Sequence, residues 1–550
     1  MDATTLPRIA YRRVPDQDAA APVRHPVVVV GAGPVGLSVA IDLAQQGVPV
    51  VLLDEDDQLS VGSRAICFAK RTLEIFDRLG CGDAMVAKGV GWNTGKVFFR
   101  DSLLYSFDLL PEPGHERPAF INLQQYYAEA YLLERARALP TLDHRPRNRV
   151  TGVVAQEDGA LLTVETPEGP YWIHADWLIA CDGSRSPVRA RMGLEAQGQV
   201  FRDRFLIADV RMQAPFPAER WFWFDPPFHP GQSVLLHRQP DDIWRIDFQL
   251  GWDADPVAER EPDRVIPRIR ALLGPDVPFT LEWVSIYTFA CERMERFRHS
   301  RVIFAGDAAH RVSPFGARGA NSGVQDAENL AWKLALVLRG LAPEALLDSY
   351  GTEREYAADE NILNSTRSTD FITPKNAASR AFRDATLSLA RDCAFARRIV
   401  NSGRLSVPST YRDTPLSTPD EEPFTGAMMP GAPAADAPVL RHGEPGWLLR
   451  QLRGGFHILH YAEVADAEAL RAPARDPVPA RPILVQPRGS APVASLDCVV
   501  DRDGLFASRY DARPGTTYLI RPDQHVAARM RGFDPKRLRA ARARACGIAP

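Results

Sequence analysis

A glycine-rich turn near the start of the chain constrains the fold more than any other feature. Gly31, Gly33 and Gly36 follow a run of four valines and open a helix-like segment. A second strand-like run ends in Asp54, 18 residues after Gly36. A strand, a glycine turn, a helix and a second strand ending in an acid are typical of a βαβ dinucleotide-binding unit. The pattern therefore predicts a pyrophosphate site at the helix start, beside Pro34, and a ribose contact from Asp54.

A second corner of the same kind lies far downstream. A strand-like run over residues 302–305 leads into Gly306 and Asp307, and then into a glycine-rich loop that contains Pro314. The loop opens a helix whose apolar residues recur at helical spacing. Free backbone N–H groups and the positive end of the helix dipole converge at such a start and favour an anionic ligand. The residues that would supply those N–H groups are Ala320, Asn321 and Ser322. An ordinary strand–loop–helix corner is the alternative, and the first glycine turn favours the binding site.

A third turn completes a set of motifs that resembles a known family. Asp182 and Gly183 follow a strand-like run over residues 177–180. In this order, the three motifs resemble those of the class A flavoprotein monooxygenases, the aromatic hydroxylases typified by para-hydroxybenzoate hydroxylase. The resemblance covers roughly residues 27–338 and is strongest to the longer branch of phenol and 3-(3-hydroxyphenyl)propionate hydroxylases. The chain departs from the family at Asp54, where a glutamate is usual.

The resemblance implies FAD as the cofactor and assigns side chains to it. Arg64 would contact the pyrophosphate or the ribityl chain through its planar guanidinium, although a surface arginine before a helix also fits. Gln125 would contact the flavin, with Gln124 as the alternative. Asp182 would hold its loop near the pyrophosphate, and Asp307 would bind a ribityl hydroxyl. The complete set of FAD candidates is Gly31, Gly33, Pro34, Gly36, Asp54, Arg64, Gln125, Asp182, Gly306, Asp307, Pro314, Gly319, Ala320 and Asn321.

The resemblance also implies a reaction, the hydroxylation of a small phenolic aromatic substrate with dioxygen. NADH or NADPH would reduce the FAD, oxygen would add at the flavin C4a carbon, and the resulting hydroperoxide would transfer one oxygen atom to the ring. The N–H groups of residues 320–322 would face the anionic N1 edge of the reduced flavin. Pro314 and an aromatic sheet would keep water away from the hydroperoxide.

Three residues are candidates for a direct part in catalysis: His310, Pro314 and Tyr287. A catalytic base would suit the pH range of the His310 imidazole. A buried histidine that holds the loop in place is the alternative. Arg189 and Arg191 are candidates for binding the phosphates of the nicotinamide cofactor, with solvated surface arginines as the alternative.

Residues 201–290 are rich in aromatic side chains and in strand-like alternation, which predicts an antiparallel sheet. In the family such a sheet roofs the substrate pocket, and the substrate candidates here are Trp221, Trp223, His237 and Arg245. The alternation does not say which face of the sheet points into the pocket. The segment 221–223 is similar to the WxWxIP motif of flavin halogenases, but Asp225 and Pro226 stand where Ile-Pro would. We therefore interpret the tryptophans as core or pocket residues. A halogenase, an epoxidase or a reductase on the same FAD fold is the alternative function.

The predicted architecture is α/β, with a Rossmann-like FAD-binding domain, an antiparallel-sheet substrate domain and a C-terminal thioredoxin-like α/β domain. The expected boundaries are an N-terminal arm over 1–24, an FAD-binding domain over 25–200 and 291–375 with 90–120 contributing in part to the pocket, a substrate domain over 201–290, a helical segment and linker over 376–426, and the thioredoxin-like domain over 427–550. The last domain has no CxxC pair, which favours a structural or dimer-contact role, so a homodimer is one assembly that fits.

Composition excludes several classes of partner. The net charge of −3 gives no basic surface that would favour nucleic acid. No apolar run approaches membrane-spanning length and the N-terminus has no signal-peptide core, so we expect no membrane partner. The seven cysteines are scattered and form no CxxC. They predict reduced thiols in the cytoplasm, with neither disulfides nor a metal site.

Overall fold

The computed structural model describes residues 8–60, 65–214, 216–400, 405–490, 493 and 496–548. The elements up to residue 191 are β1 (Val23–Val30), α1 (Pro34–Gln45), β2 (Val50–Leu53), β3 (Cys67–Ala69), α2 (Lys70–Leu79), α3 (Gly82–Lys88), β4 (Val90–Trp92), β5 (Thr94–Phe99), β6 (Ser102–Asp108), β7 (Phe120–Asn122), α4 (Gln125–Arg137), β8 (Leu142–Arg145), β9 (Arg149–Gln156), β10 (Gly159–Thr166), β11 (Gly169–Ala180) and α5 (Pro187–Arg191).

The middle of the chain is mostly strand and then mostly helix. Its elements are β12 (Ala196–Arg211), β13 (Arg220–Phe224), β14 (Ser233–Arg238), β15 (Ile243–Leu250), α6 (Pro262–Leu273), β16 (Thr280–Met294), β17 (Arg298–His299), β18 (Val302–Phe304), β19 (His310–Arg311), α7 (Gly319–Leu338), α8 (Asp348–Ile372), α9 (Ala377–Ala390) and α10 (Ala394–Val400).

The C-terminal part is α/β. Its elements are β20 (Pro438–Arg441), β21 (Glu444–Trp447), α11 (Leu448–Gln451), β22 (Phe456–Tyr461), α12 (Ala467–Arg471), β23 (Ala480–Gln486), β24 (Cys498–Asp501), α13 (Leu505–Arg509), β25 (Thr517–Ile520), β26 (Val526–Met530) and α14 (Pro535–Ala545).

Buried valines place β1 at the centre of a parallel sheet. Val27, Val28 and Val29 are fully buried, because neighbouring strands and helices on both faces cover them. The strand order is β17-β18-β11-β1-β2-β8, and the pairs from β18 to β8 are parallel. Strands β9 and β10 extend β11 as an antiparallel meander. The predicted βαβ unit and the α/β class of the nucleotide-binding region are confirmed.

The predicted antiparallel sheet is present and is larger than residues 201–290. Its order is β19-β16-β12-β15-β14-β13-β5-β6. Strand β12 begins at Ala196 and β16 ends at Met294, so both long strands continue past the expected boundaries. The hairpin β5–β6, which precedes this region by about a hundred residues, joins the sheet by parallel pairing of β5 with β13.

The two faces of this sheet carry different covers. One face packs against α6, in an apolar cluster that includes Val265 and Ile269 of that helix. The other face packs against helices α8 to α10 and the loop before α7, in a cluster that includes Phe205, Phe289 and Phe315. Successive residues of a strand point to opposite faces. The position of a residue in its strand therefore decides whether its side chain packs against α6 or against the other group of helices.

The C-terminal sheet has the order β21-β20-β24-β23-β22-β25-β26. Strands β22, β23 and β24 are parallel, β25 is antiparallel to β22, and β26 is antiparallel to β25. The turn between β25 and β26 reaches the nucleotide-binding part, where Arg521 donates hydrogen bonds of 2.6 and 2.9 Å to the carboxylate of Glu353 in α8. Among the described residues, no helix combines the length and the apolar character needed to span a bilayer.

Candidate functional site

The first glycine turn is tight and leaves the start of α1 open. Gly31 has a φ of +100°, which favours glycine, and a Cβ atom there would lie 2.5 Å from the carbonyl oxygen of Cys181. A Cβ atom on Gly36 would overlap the carbonyl oxygen of Gly31, so helix and turn approach closely. Gly33 is the N-cap of α1, with Pro34 at the first helical position, and no atom lies within 4 Å of the place its Cβ would take. The helix N-terminus is therefore free to meet an anionic ligand.

Asp54 ends β2 beside this turn. Its carboxylate accepts hydrogen bonds from the main-chain N–H groups of Ala32 and, at 2.8 Å, of Asp56. Burial raises the pKa of Asp54 to about 6. The carboxylate borders a cavity of about 360 Å³, whose walls also include Gly33, Glu129 and Ile9 of the N-terminal arm. A cavity that joins a free helix N-terminus to an acid fits the pyrophosphate and adenosine ribose of a dinucleotide.

The turn after β11 is tied to the downstream corner. Asp182 accepts a hydrogen bond of 2.9 Å from the N–H of Val188 through Oδ2, and its buried Oδ1 has no hydrogen-bond partner. Arg189 donates to the carbonyl oxygens of Ser184 (2.9 Å) and Ala308 (2.6 Å), and so joins the two turns. Arg191 donates to the carbonyl oxygen of Thr151 in β9, so its side chain is held against the meander.

The downstream corner brings the start of α7 next to the start of α1. Gly306 donates a hydrogen bond of 2.9 Å from its N–H to Asp326 of α7. A Cβ atom on Gly323 would lie 2.6 Å from Cγ2 of Val35 in α1, and one on Gly306 would lie 2.9 Å from the same atom. Asp307 is exposed at this corner. The two predicted anion-binding corners, far apart in sequence, are therefore neighbours in the fold.

Asn321 contributes a side-chain contact that the sequence did not indicate. Its Oδ1 accepts a hydrogen bond of 2.8 Å from the N–H of Ala69, and its Nδ2 donates to the carbonyl oxygens of Cys67 (2.8 Å) and Ala317 (2.6 Å). The N–H of Ser322, one of the three predicted anion donors, instead donates a hydrogen bond of 2.7 Å to the carbonyl oxygen of Arg318. The main-chain N–H groups of Gly319 to Asn321 come before the first intrahelical hydrogen bond of α7.

The glutamines at the start of α4 face different neighbours. Gln125 accepts a hydrogen bond of 3.0 Å from the N–H of Ala65 and donates to Ser60 (3.1 Å) and Glu129 (2.8 Å), at the wall of the 360 Å³ cavity. Gln124 donates instead to the carbonyl oxygen of Pro240, 3.2 Å away, before β15. Arg64 lies outside the described residues.

His310 lies in a buried network that holds its loop. Its Nε2 is 2.7 Å from Oδ2 of Asp326, and its ring stacks on Phe297. Arg354 donates to the other oxygen of Asp326 at 2.6 Å. Burial favours the neutral form of Asp326, yet His310 and Arg354 together hold its pKa below the usual value. The geometry favours the loop-holding alternative for His310.

The other two catalytic candidates differ in their burial. Pro314 is exposed and begins a turn in which Ala317 donates a hydrogen bond of 3.1 Å to its carbonyl oxygen. Tyr287 of β16 is partly buried and packs beside Phe289, with ring centroids 5.9 Å apart.

Trp221 and Trp223, two of the predicted substrate residues, lie on the α6 side of the sheet. Both belong to the apolar cluster of α6, and they pack on Phe98 with ring centroids 5.3 and 5.1 Å away. The physical reason is the alternation of β13, because Arg220 and Phe222 occupy the positions that point to the opposite face. The tryptophans are therefore core residues of the α6 side.

His237 and Arg245 lie on the face opposite to α6, in a line of polar side chains across the sheet. This polar row consists of Asp209 (β12), Arg245 (β15), His237 (β14) and Arg220 (β13). Arg245 donates to both oxygens of Asp209, at 2.9 and 3.1 Å. The neighbouring Asp247 lies in the next row, paired with Leu235 and Ile207. Arg220 was not among the predicted site residues. Its alternation with Phe222 and Phe224, which share its face of β13, is a sequence signal that could have indicated it.

The polar row faces the nucleotide-binding part of the protein. Asn122 of β7 donates a hydrogen bond of 2.7 Å to the carbonyl oxygen of Arg238, and it accepts one of 2.8 Å from the indole N–H of Trp92. Burial raises the pKa of Cys67 to about 11, and the positive charges of Arg220 and Arg245 oppose that rise. The row and the strand that Asn321 holds are therefore close neighbours.

Comparison with known proteins gives one family and several relatives over nearly the whole chain. A family model described as "FAD binding domain" matches residues 24–365. The 6-methylpretetramide 4-monooxygenase of Streptomyces rimosus is 32% identical over 532 residues, which cover 92% of this chain and 90% of the relative. The 3-(3-hydroxy-phenyl)propionate/3-hydroxycinnamic acid hydroxylase of Mycolicibacterium smegmatis is 28% identical over 520 residues, 91% of this chain and 90% of the relative.

A solved structure extends the likeness to the fold. The flavin-dependent monooxygenase PieE, in complex with FAD and substrate, superposes with a TM-score of 0.80 at 24% identity. The match covers 96% of this chain and 100% of that chain. The likeness therefore includes the C-terminal part as well as the nucleotide-binding and sheet regions.

Proposed function

Because the chain belongs to the FAD binding domain family, whose relatives include flavin-dependent aromatic hydroxylases, we propose that it hydroxylates a phenolic aromatic substrate with NADH or NADPH and dioxygen. The observation that carries the proposal is the contact of Val35 with Gly306 and Gly323, which brings two free helix N-termini together. Bound FAD would supply the oxygen-activating chemistry. The protein's own residues supply binding, orientation and the exclusion of water.

In this proposal each corner binds one part of FAD. The start of α1 at Gly33 and Pro34 binds the pyrophosphate, and Asp54 binds the adenosine ribose. Asp307 binds a ribityl hydroxyl, and the N–H groups at the start of α7 face the flavin N1 edge, where positive potential favours the reduced anion. The wider set keeps Gly31, Gly36, Gln125, Asp182, Gly306, Pro314 and Gly319 to Asn321 as cofactor residues, with His237 and Arg245 on the substrate side.

The proposal also covers the domains and their assembly. The boundaries are those expected from the sequence, with the substrate sheet widened to include β5, β6, β12 and β16. The order β23-β22-β25-β26, in which β22 and β23 are parallel and β25 is antiparallel to both of its neighbours, supports a thioredoxin-like C-terminal domain. A cytoplasmic location fits the free cysteines. A homodimer is the proposed assembly, and sedimentation of the purified protein tests it.

The test of the proposed function is a panel of phenols assayed with the purified protein. We expect a yellow protein that consumes NADH or NADPH faster when the right phenol is present, with one oxygen atom added to the product by mass. A colourless protein, or a yellow one that consumes the nicotinamide without adding oxygen to any phenol, would contradict the proposal.

A further inference from the structure

We propose that the substrate carries, besides its phenol, a planar oxyanion, a carboxylate or an ionised enol, which Arg220 binds at the end of the polar row. The inference rests on the proposed function and adds a chemical class to the substrate. It also assigns a binding role to Arg220, which neither the motifs nor the comparisons single out.

Arg220 is a buried cation that forms no ion pair within the described part of the chain, and the charge of Asp247 acts on it only at longer range. Only 8% of the residue is exposed, and its Nη1 atom is buried without a hydrogen-bond partner among the described residues. A buried arginine in this state is costly, because it loses hydration and gains no compensating charge. The same burial lowers the pKa of Arg220.

Arg245, the second arginine of the polar row, is also buried but has a counter-ion. Arg245 is 2% exposed, and it is neutralised by the two hydrogen bonds to Asp209. The two arginines are separated in the sheet by His237 alone. One arginine of the row therefore has its counter-ion within the protein, while the other lacks one.

The neighbours of Arg220 leave further atoms unsatisfied. Nδ1 of His237, Oδ1 of Asp247 and Oε1 of Gln239 are buried and have no hydrogen-bond partner in the part of the chain that the structure describes. Burial, with Arg220 and Arg245 nearby, holds the pKa of His237 well below its ordinary value, so the imidazole adds no charge. The cluster thus offers one cationic donor together with acceptors, which fits an oxyanion that has a hydroxyl group beside it.

Asp247 could have served as the counter-ion and does not. It lies one row away from Arg220, and the two form no ion pair. Burial raises the pKa of Asp247 to about 6, and Arg245 and Arg220 lower it only in part. A ligand oxyanion between the polar row and β3 would supply Arg220 with a negatively charged partner.

The test compares Arg220→Met with Arg245→Met in the FAD-loaded protein. Without ligand, Arg220→Met should raise the apparent melting temperature, because it removes an uncompensated buried charge. Arg245→Met should lower it, because it leaves Asp209 buried and unpaired. A fall for Arg220→Met comparable to that of Arg245→Met would overturn the inference, since it would show that Arg220 already has a partner.

Binding is measured with 3-hydroxybenzoate, its methyl ester, and 1,3-cyclohexanedione, which is an ionised enol at neutral pH. The readouts are the shift in melting temperature and the change in flavin absorbance. We expect at least one of the two anions to bind the unmodified protein, the ester to bind about 10- to 100-fold more weakly, and Arg220→Met to lose a similar factor for the anion. Preference for the carboxylate or for the enol tells the two sources of oxyanion apart.

Equal binding of acid and ester, anion binding that survives Arg220→Met, or no binding of either anion would overturn the inference. These failures are distinct from failure of the proposed function. A yellow protein that hydroxylates a neutral phenol independently of Arg220 would refute the oxyanion and leave the monooxygenase proposal intact. A protein without flavin would refute the monooxygenase proposal itself.

Discussion

The side-chain amide of Asn321 donates a hydrogen bond of 2.8 Å to the main-chain carbonyl oxygen of Cys67. With the bond that Asn321 accepts from Ala69, it holds strand β3 against the start of α7. The N-terminus of that helix and the strand facing the polar row therefore keep a fixed relative position. A single amide joins the proposed cofactor side of the site to its substrate side.

Replacing Asn321 with Asp should weaken both sides at once. A carboxylate cannot donate to Cys67 and Ala317, so one buried and one partly buried carbonyl oxygen lose their partner. The buried one costs about 1–3 kcal/mol. We expect a lower free energy of unfolding and weaker retention of FAD, measured by denaturation and by flavin content after dialysis. Asn364→Asp, on the partly exposed side of α8, is the matched control. If both variants retained FAD equally well, the side-chain hydrogen bonds of Asn321 would not be needed for cofactor binding.

Gly33→Val should remove the cofactor and spare the fold. The φ of Gly33 is −72°, which valine adopts, and its Cβ would point into open space. We expect a folded, colourless protein by circular dichroism and absorbance, because the new side chain occupies the proposed pyrophosphate site. Gly36→Ala should behave differently and unfold the region, since its Cβ would overlap the Gly31 carbonyl oxygen. A yellow Gly33→Val protein would refute the site.

Asp247 should make stability depend on pH in a defined direction. Burial raises the pKa of Asp247 from its ordinary 3.8 to about 6 in the folded protein, so the folded state holds the proton more tightly. This contribution to stability is present below about pH 4 and is lost as the pH rises through 6. Asp247→Asn should therefore be more stable than the unmodified protein at pH 8, by at most about 3 kcal/mol. Denaturation at pH 8 and pH 4.5 checks this, and the advantage must shrink at the lower pH.

Arg521 should be the main electrostatic contact of the C-terminal part with α8. Arg521 and Glu353 are both fully buried, and Lys333 also donates to Glu353 at 2.8 Å. Arg521→Met leaves excess buried negative charge and should destabilise the protein by about 3–5 kcal/mol. Arg502→Met, at a solvent-exposed pair with Asp503, should leave the free energy of unfolding nearly unchanged. Equal effects in chemical denaturation would show that the buried pair is dispensable.

The sequence was informative where structure is set locally. The turn at Gly31 to Gly36 follows from strand, glycine and helix signals within some 25 residues, and the loop before α7 follows in the same way. The contact of Asn321 with Cys67 joins residues 254 apart, so no local pattern carries it. For a related reason, the sequence did not show which face of β13 points inward. Alternation defines two phases, and helix α6, some 40 residues later, decides that Trp221 and Trp223 take the outer one.

The parallel pairing of β5 with β13 has a consequence for synthesis and for engineering. Trp221 lies opposite Lys96. The large antiparallel sheet therefore cannot be completed until more than a hundred residues after the hairpin have left the ribosome. Until then the aromatic edge of the hairpin has no permanent neighbour and is open to wrong pairing. A chimaera that transplants residues 201–290 alone would leave that edge behind, so specificity is best exchanged by moving both segments together.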